Sequence, residues 1–435
     1  MIGKKDNVHL RSPEQHVHLP SGWVYAPLGS VCRLVAGGTP SSGNTDYWVS
    51  DPLNTEGTPW IAISDMSQVD YVSSTSKSVS HSGMEAANLK TGKPGTVLFA
   101  MYASVGEVAV TDIAAVWNQA ILGMTPTDPS KLSSGFLFYA AQSLRPYLPT
   151  YYRSNTQNNL NAATVAQLRI PLPPLGEQQR IADYLDRETA EIDAAVADLD
   201  RYVELLEQRR RLVVTKAVAG DVGPGEGFSG SWDQVPLRAV SADGGLFVDG
   251  DWVETKDQDP NGEIRLTQLA DVGESGFLDK SDRWVNKSKF EELGCTEVLP
   301  GDLLIARMPD PIARCTVMPD GLGYSTITVV DVAILRVGFD WNNRYVMWAI
   351  NSQSFRNDVD SRISGSTRQR ISRSALGRTK LFRPPLEIQQ QIAEYLDRET
   401  AEINALIAES TKLRDLLLKR RSVLITEVVT GRKQV

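Results

Sequence analysis

The chain has 435 residues, of which 53 are acidic and 45 basic, so its formal net charge is −8. A hydrophobic content of 41% excludes a fibrous or wholly disordered protein, and at roughly 100–200 residues per domain the length allows two to four domains. No apolar run approaches the ~18–20 residues that cross a bilayer, and the N-terminus lacks the apolar core of a signal peptide. We therefore expect a cytoplasmic protein that does not enter a membrane.

The chain opens with a polar tail (1–20) and a predicted domain (21–173) that is rich in short strand-like runs. Apolar runs such as those in PWIAISDM and KPGTVLFAMYASVGEVAV are bounded by Gly, Pro, Asn and Asp, the residues that commonly end strands. This pattern predicts a mixed domain that is mostly β.

A long helix is predicted next, over 174–220. It follows Pro173-Pro174, a pair that often precedes a helix but cannot lie inside one, and it ends at Gly220. Apolar residues recur at spacings of four and three, interrupted at Arg210, which is the heptad pattern of a helix that packs along a partner helix. The residues of this seam are Ile192, Val196, Leu199, Val203, Leu206, Val213 and Ala217.

A Gly- and Pro-rich linker (221–231) leads into a second predicted domain (232–383) and a second helix (384–431), which repeat the first half. PPLGEQQRIADYLDRETAEIDA ends at Ala194 and returns as PPLEIQQQIAEYLDRETAEINA ending at Ala405, a constant offset of 211 residues. The domains repeat more loosely, and duplication is the simplest origin of both copies. The second seam comprises Ile403, Ile407, Leu417, Leu424 and Val428, with polar insertions at Ser410, Arg414 and Arg421.

These elements predict an α+β fold. Two mixed, mostly β domains are separated by two long helices, which we expect to form an antiparallel coiled-coil spacer with a pseudo-twofold internal repeat. The alternative is that each helix only caps its own domain.

Catalytic patterns are weak. GTPSSG at 38–43 has the glycine spacing of a phosphate loop, but Asn44 stands where the lysine belongs. Glu254 and Lys256 lack the preceding Pro-Asp of a nuclease, and the neighbouring aspartates are interpreted as a solvated loop. The three cysteines show no CxxC spacing and three of the four histidines lie in the tail, so we predict no metal, no cofactor and no catalytic residue.

The total charge conceals two segments without acidic residues at matching positions of the repeat. No acidic residue lies between Asp128 and Glu177, and none lies between Asp360 and Glu387, where seven basic residues occur. Basic, amide and hydroxyl side chains suit contacts to phosphates and to guanine or adenine edges. Although the net charge of −8 alone argues against nucleic acid, these two segments favour it.

The residues GGTPSSGNTDYW, PWIAISDM, PGTVLFAMYASVG and the duplicated PPL..QQ.IA.YLD.ETAEI segment resemble the specificity subunits of type I restriction-modification systems. The resemblance runs from about Trp23 to Arg432. The segment MPDPIARCTV departs from it, because Asp310 and Pro311 replace the usual glycines.

In that family two target-recognition domains alternate with helical spacers, so the resemblance implies a non-catalytic subunit that selects a bipartite sequence in double-stranded DNA. It also implies two methyltransferase subunits and a restriction or translocase subunit as partners. The acid-free segments, together with polar loops near Ser41 and Arg307, are the candidate DNA contacts. The candidates are Ser41, Ser42, Asn44, Tyr152, Arg153, Asn155, Gln157, Asn158, Arg307, Arg314, Arg362, Thr367, Arg368, Arg370, Arg373 and Arg378.

Two other interpretations stay open at this point. The chain could be a structural adaptor whose two domains bind proteins across a coiled-coil scaffold, or an enzyme whose site has no recognisable motif. An adaptor would show no salt-dependent binding to DNA, whereas an enzyme would turn over substrate as the isolated chain.

Overall fold

A computed structural model describes residues 19–49, 57–67, 69–151, 159–223, 228, 232–309, 311–363 and 369–435. The chain divides into two compact units. Unit 1 is Met1–Asp198 together with Leu413–Val435, and unit 2 is Leu199–Lys412. Each unit therefore contains one mostly β domain and parts of both long helices, and the domain boundaries inferred from the sequence remain a prediction.

The described part of unit 1 contains eleven strands in three sheets, ordered β1-β11, β2-β10-β7-β8-β5 and β3-β6-β4-β9. The central strands β7 and β8 are buried along their whole length, which explains their unbroken apolar runs. The strands are β1 Val24–Pro27, β2 Cys32–Ala36, β3 Trp48–Val49, β4 Thr58–Ile61, β5 Tyr71–Val72, β6 Lys77–Val79, β7 Thr96–Ala100, β8 Val108–Thr111, β9 Val116–Trp117, β10 Ile121–Pro126 and β11 Arg169–Leu172.

Short helices connect these strands, and a long helix follows them. The α-helices are α1 Leu28–Val31, α2 Ile63–Met66, α3 His81–Ala86, α4 Ser134–Gln142, α5 Ala162–Gln167 and α6 Leu175–Ala219, and short 3-10 helices cover Thr45–Tyr47 and Arg145–Tyr151. Helix α6 begins directly after Pro174, as predicted. Gly220, which follows its last residue, has φ +89°, a conformation that favours glycine at the end of a helix.

Unit 2 repeats the sheet plan with fewer strands, in the orders β12-β20, β13-β19-β16-β17 and β15-β14-β18. In both units the first and last strands of the domain pair antiparallel, and a parallel pair joins β4 to β9 and β14 to β18. The strands are β12 Gln234–Pro236, β13 Leu246–Asp249, β14 Ile264–Thr267, β15 Trp284–Val285, β16 Leu303–Ala306, β17 Cys315–Val317, β18 Ser325–Thr328, β19 Val332–Arg336 and β20 Lys380–Phe382.

The helices of unit 2 follow the same order. They are α7 Lys287–Leu293, α8 Asn343–Asn351, α9 Gln353–Asp360, α10 Arg373–Leu376 and α11 Leu386–Val429, with 3-10 helices at Leu237–Ser241, Thr255–Asp257 and Leu269–Asp271. Helix α11 begins after Pro385, and Gly431 beyond its end has φ +72°. The predicted pair of long helices is therefore confirmed. Among the described residues, no helix combines the length and apolarity needed to cross a bilayer.

The end of α11 packs into the core of unit 1. Leu424, Ile425 and Val428 belong to the same buried cluster as Phe136 of α4 and Ile192 of α6. In unit 2, Val214 and Val218 of α6 share a buried cluster with Ile392 of α11 and Trp348 of α8. The alternative that each helix caps only its own domain is therefore wrong, because each domain core is completed by the helix of the other repeat.

The predicted seams coincide with the less exposed positions of both helices. Ile192, Leu206, Ile403 and Leu424 are buried, and the remaining seam residues are half-buried or buried between exposed neighbours. Within unit 1 the helices run in opposite directions, since Arg421 contacts Asp193 whereas Lys433, further along the chain, reaches Tyr184. A coiled coil over the full length of both helices remains a prediction.

The duplicated motif fastens each domain to its following helix through buried hydrogen bonds. The Gln178 side chain donates to the carbonyls of Lys131 and Pro173 and accepts from the Ser133 amide. Gln389 repeats this arrangement in unit 2. Buried amides must find such partners, so the repeated glutamines are explained by structure.

The aspartate of YLDRET acts in the same way. Asp186 accepts a hydrogen bond from the Tyr139 hydroxyl on α4 at 2.7 Å. Its counterpart Asp397 accepts from the Trp348 indole on α8 at 2.8 Å. The helix that follows the central strands is thereby held against α6 in unit 1 and against α11 in unit 2.

Candidate nucleic-acid interface

Both acid-free segments return to the sheet at the same place. The Leu160 amide donates to the carbonyl of Met101, the first residue after β7, at 2.9 Å. The Ile371 amide donates to the carbonyl of Arg307, the first residue after β16, at 3.1 Å. Each segment therefore passes beside the carboxyl end of the equivalent central strand.

A loop also leaves β2 in unit 1 and β13 in unit 2 at this end, and each of these strands is separated from β7 or β16 by one strand of the sheet. A Cβ at Gly37, after β2, would lie 2.2 Å from the Trp117 carbonyl oxygen, and a Cβ at Gly250, after β13, would lie 2.3 Å from that of Val329. Backbone cannot move aside as a flexible side chain can, so both positions require glycine. The two loops, 37–44 and 250–258, are thus held at the same strand end.

In unit 1 the indole of Trp48 and the side chain of Asn44 fix the polar loop 37–44. The Ser41 carbonyl accepts from the Trp48 indole at 3.2 Å, and the Asn44 side chain caps the following 3-10 helix by accepting from the Asp46 amide. Ser41 and Ser42 are exposed, so their hydroxyls are accessible to a ligand. The predicted contacts Tyr152, Arg153, Asn155, Gln157 and Asn158 lie outside the described residues.

In unit 2 the strand end carries a cluster of alternating charges. Arg307 lies 3.2 Å from Asp249, and Arg373 lies 3.3 Å from the same carboxylate. Arg370 pairs with Asp331 at 3.1 Å. The structure therefore brings three of the predicted arginines together around two aspartates.

Arg307 and Arg314 are placed differently from what the sequence predicted. The Arg307 side chain is only 5% exposed, because the strand end and Asp249 enclose it, and burial lowers its pKa against the effect of that carboxylate. Arg314 donates to the carbonyls of Val272 and Leu269 at 2.8 and 2.7 Å. Both guanidinium groups hold loops in place, although Arg307 is enclosed and Arg314 is only half-buried.

Arg370 faces a cleft of about 480 Å³ at this strand end. Its side chain is 43% exposed, and the cleft also presents Trp252, Glu254, Gln258 and Asp331. Trp252 is 69% exposed, which leaves a large apolar ring beside hydrogen-bonding groups. An arginine, an amide and an aromatic ring around one cleft suit the edges and methyl groups of bases.

The loop 250–258 was missed as part of the site because its acidic residues were interpreted as a solvated loop. The structure uses them internally, since Asp249 binds two arginines and Asp251 accepts from the Thr296 amide at 2.9 Å. The repeat could have identified this loop from the sequence, because it occupies the position of the 37–44 loop in the first copy.

Arg362 and Arg378, also predicted in the second segment, do not line this cleft. Arg362 pairs with Asp358 one helical turn earlier at 2.9 Å and lines another cavity, of about 370 Å³, with Lys380. Arg378 is exposed and donates to the Ser374 hydroxyl at 3.0 Å. Thr367 and Arg368 lie outside the described residues.

Metal binding finds no support at this interface. Among the residues that the structure describes, no group of three or more His, Cys, Asp or Glu side chains could hold a metal ion. The Cys295 thiol lies near Asp251. Burial, and to a smaller extent the negative charge of Asp251, raises the pKa of this thiol to about 11.

The geometry fits a protein family identified by comparison. The model of the type I restriction modification DNA specificity domain matches residues 20–197. The resemblance inferred from the sequence is thereby confirmed.

Curated relatives of the chain are named as specificity subunits of type I restriction enzymes. The chain is 23% identical to the MjaIX specificity subunit of Methanocaldococcus jannaschii over 44% of this chain and 42% of the relative. It is 26% identical to the HindI subunit of Haemophilus influenzae over 36% of this chain and 33% of the relative, so it spans less than half of these two relatives. It is 22% identical to the EcoKI specificity subunit of Escherichia coli over 92% of this chain and 89% of the relative.

A solved structure shares the fold of the whole chain. It belongs to work on complex assembly and conformational transition of the type I R-M system, and it matches with a TM-score of 0.69 and 19% identity over 96% of this chain and 100% of that chain. The α+β fold with long helices is therefore shown for both halves. The specificity domain matched at residues 20–197 has a structural counterpart in unit 2.

Proposed function

We propose that the chain is the DNA-recognition subunit of a type I restriction-modification system. Each unit reads one half of a bipartite target in double-stranded DNA. The chain itself is non-catalytic, and it recruits two methyltransferase subunits and a restriction or translocase subunit.

One observation carries this proposal. Both acid-free segments are anchored by an equivalent backbone hydrogen bond beside an equivalent strand end, Leu160 to Met101 and Ile371 to Arg307. A duplicated frame that presents two different polar surfaces at the same place suits one task performed twice on two sequences.

Arg370 is the leading base-reading or phosphate-binding residue among those described. Its partner Asp331 is 25% exposed and shares one surface with it, so this ion pair can exchange for a phosphate or a guanine edge at small cost. Gln258 and the Trp252 ring lie in the same cleft and can contact an adenine edge or a thymine methyl group.

Partner recruitment is supported by exposed apolar residues on the long helices. Tyr202, Leu205 and Leu212 on α6 are about half exposed, although they lie in an otherwise polar helix. The same positions of the repeat on α11 are Leu413, Leu416 and Val423, which are also about half exposed. Matched apolar stripes suit two copies of one partner, as two methyltransferase subunits would be.

The long helices are proposed to set the distance between the two half-sites. Two recognition surfaces on one face of DNA read sites about one helical turn, ~34–36 Å, apart. The buried seams on α6 and α11 support a coiled coil as the spacer.

The test is the Arg370→Ala substitution in the complex with its methyltransferase subunits. We expect methylation at one half-site sequence to weaken, and the dependence of binding on salt to fall by about one ion. Arg211→Ala is the matched control, because Arg211 is an exposed arginine of the same unit on α6. Equal effects of the two substitutions would contradict the assignment of Arg370.

Long-read mapping of methylated bases in host DNA tests the function as a whole. With the gene present we expect methylation at one bipartite sequence, and with the gene deleted we expect that methylation to disappear. An adaptor that binds only proteins would show no salt-dependent DNA binding in gel shifts, with or without the methyltransferase subunits.

A further inference from the structure

Each unit contains a half-buried arginine that ties the domain to the helix of the other repeat. In unit 1 this residue is Arg421 of α11, and in unit 2 it is Arg210 of α6. The two arginines occupy the same position of the repeat, where the sequence showed only an interruption of the apolar seam. We call each arginine and its polar partners the latch.

The latch of unit 1 joins α11 to three other parts of the unit. Arg421 pairs with Asp70, directly before β5, and with Asp193 on α6 at 2.9 Å. Gln142, the last residue of α4, accepts from Arg421 and donates to Asp70, both at 3.4 Å. Arg421 is only 16% exposed, so solvent screens these interactions little.

The latch of unit 2 has the same plan with other side chains. Arg210 donates to Asn404 on α11 at 2.9 Å and lies 3.5 Å from Glu274, which follows the 3-10 helix after β14. Asn351, the last residue of α8, donates to the Glu274 carbonyl at 2.8 Å. Arg356 of α9 holds the Glu274 carboxylate at 2.8 Å.

The latch supplies what the other attachments lack. Gln178 and Asp186 in unit 1, like Gln389 and Asp397 in unit 2, fasten each domain to its own helix, and none of these bonds joins the domain to the helix of the other repeat. Apolar packing against the second helix is favourable but not directional. A guanidinium group fixes direction, because its donors form a planar fork.

We propose that Arg421 and Arg210 are positioning residues that fix the orientation of each recognition domain on the helix pair of its own unit, and thereby the spacer length that the chain accepts between half-sites. The inference rests on the proposed function. It assigns specificity for spacing to the latches and specificity for bases to the loops at the strand ends.

The experiment uses the complete complex with its methyltransferase subunits and the double variant Arg421→Gln, Arg210→Gln. Duplexes carry the target found by methylation mapping with its natural spacer, or with a spacer one base pair shorter or longer. One base pair turns a half-site by about 36° and shifts it by about 3.4 Å. We expect the preference for the natural spacer to fall roughly fivefold or more, while base preference in each half-site is unchanged.

A control separates this result from loss of charge. Arg211→Gln with Lys419→Gln removes two exposed positive charges next to the latches, on α6 and α11, and leaves the latches intact. It should keep the natural spacer preference. Loss of stability alone would lower methylation of all duplexes by the same factor and leave the ratio between spacers unchanged, which would overturn the inference.

The conservative variant Arg421→Lys, Arg210→Lys keeps the charge but not the fork, and we expect it to restore only part of the spacer preference. The lysine variant also replaces the glutamine variant in the experiment if the latter fails to fold. Full restoration of the spacer preference by lysine would show that charge alone positions the domains. If the unaltered complex methylates no bipartite sequence, the proposed function fails. If it does so and the variants keep its spacer preference, only the inference about the latches fails.

Discussion

The two units share the polar residues of the long helices that hold each domain, but they differ in the residues at the strand ends. Gln178 and Gln389 make the same buried hydrogen bonds, and Asp186 and Asp397 both receive a donor from the domain. At the end of the central strand, Met101 in unit 1 is replaced by Arg307 in unit 2.

The difference separates the frame from the surface that we propose reads DNA. Interior hydrogen bonds leave no freedom to substitute one partner, because the other is then buried without a partner. The exposed side chains of the loops at the strand ends, such as Ser41 and Trp252, carry no such constraint. Two copies of one frame can therefore diverge in sequence specificity while both remain folded.

The largest expected effect tests whether the frames are equivalent. Gln178→Ala leaves the Ser133 amide and two carbonyls without a side-chain partner, and Gln389→Ala does the same in unit 2. We expect each substitution to lower the free energy of unfolding of its own unit by about 3 kcal/mol.

Hydrogen exchange measured by mass spectrometry would report this loss separately on peptides of α4 and α8. Gln179→Ala is the control, because this neighbouring side chain is exposed and donates to Asp183 one turn later on the same helix. Equal exchange in both units after a single substitution would contradict the comparison.

A smaller effect is expected at the turn after the central strand. Gly106 has φ +86°, and a Cβ there would lie 2.4 Å from Leu148 Cδ1, whereas the equivalent turn of unit 2 has Ala313 at φ +64°. Gly106→Ala should cost about 1–2 kcal/mol. Ala313→Gly should change stability by less than about 0.5 kcal/mol, because relief of strain offsets the greater freedom of the unfolded chain. Urea denaturation of both variants measures the contrast, and equal losses would refute it.

The latches offer a test by exchange of one side chain. Asp193→Asn gives unit 1 the amide found in unit 2, and Asn404→Asp gives unit 2 a second carboxylate beside its arginine. We expect the first to destabilise and the second to stabilise by roughly 0.5–1 kcal/mol each, with both effects smaller at high salt. Denaturation at low and high ionic strength checks the signs, and two changes of the same sign would contradict the assigned contacts.

The smallest effects concern thiol reactivity. Burial raises the pKa of Cys32 to about 12, and burial together with Asp251 raises that of half-buried Cys295 to about 11. A raised pKa keeps the thiol protonated at neutral pH, and only the thiolate reacts. Cys295 should therefore react slowly with iodoacetamide at pH 8 and faster as pH rises towards 11, while Cys32 reacts more slowly still. Peptide mass spectrometry measures both rates, and faster labelling of Cys32 in the folded protein would be inconsistent with its burial.

The long helices could be predicted from the sequence because their signals are local. The proline pairs, the terminal glycines and the seam from Ile192 to Val213 each depend on residues a few positions apart. The strands in KPGTVLFAMYASVGEVAV could be predicted equally well, because β7 and β8 are wholly buried and therefore form unbroken apolar runs.

The candidate interface could be predicted only in outline. Arg307 and Arg370 are both predicted DNA contacts, yet one is enclosed and the other is 43% exposed. Their difference depends on Asp249 and Asp331, which are distant in sequence and reach the arginines only through the sheet. The same reason hid the latches, because Arg421 and Asp70 are 351 residues apart.

The division of the chain has a consequence for its synthesis. Unit 2 is one continuous segment, Leu199–Lys412, whereas unit 1 requires Leu413–Val435 to complete the core that begins near the N-terminus. Domains usually fold in the order in which the ribosome makes them. In this chain, synthesis of unit 1 begins first but is completed last. Its apolar face therefore stays uncovered until the final turns of α11 have been translated.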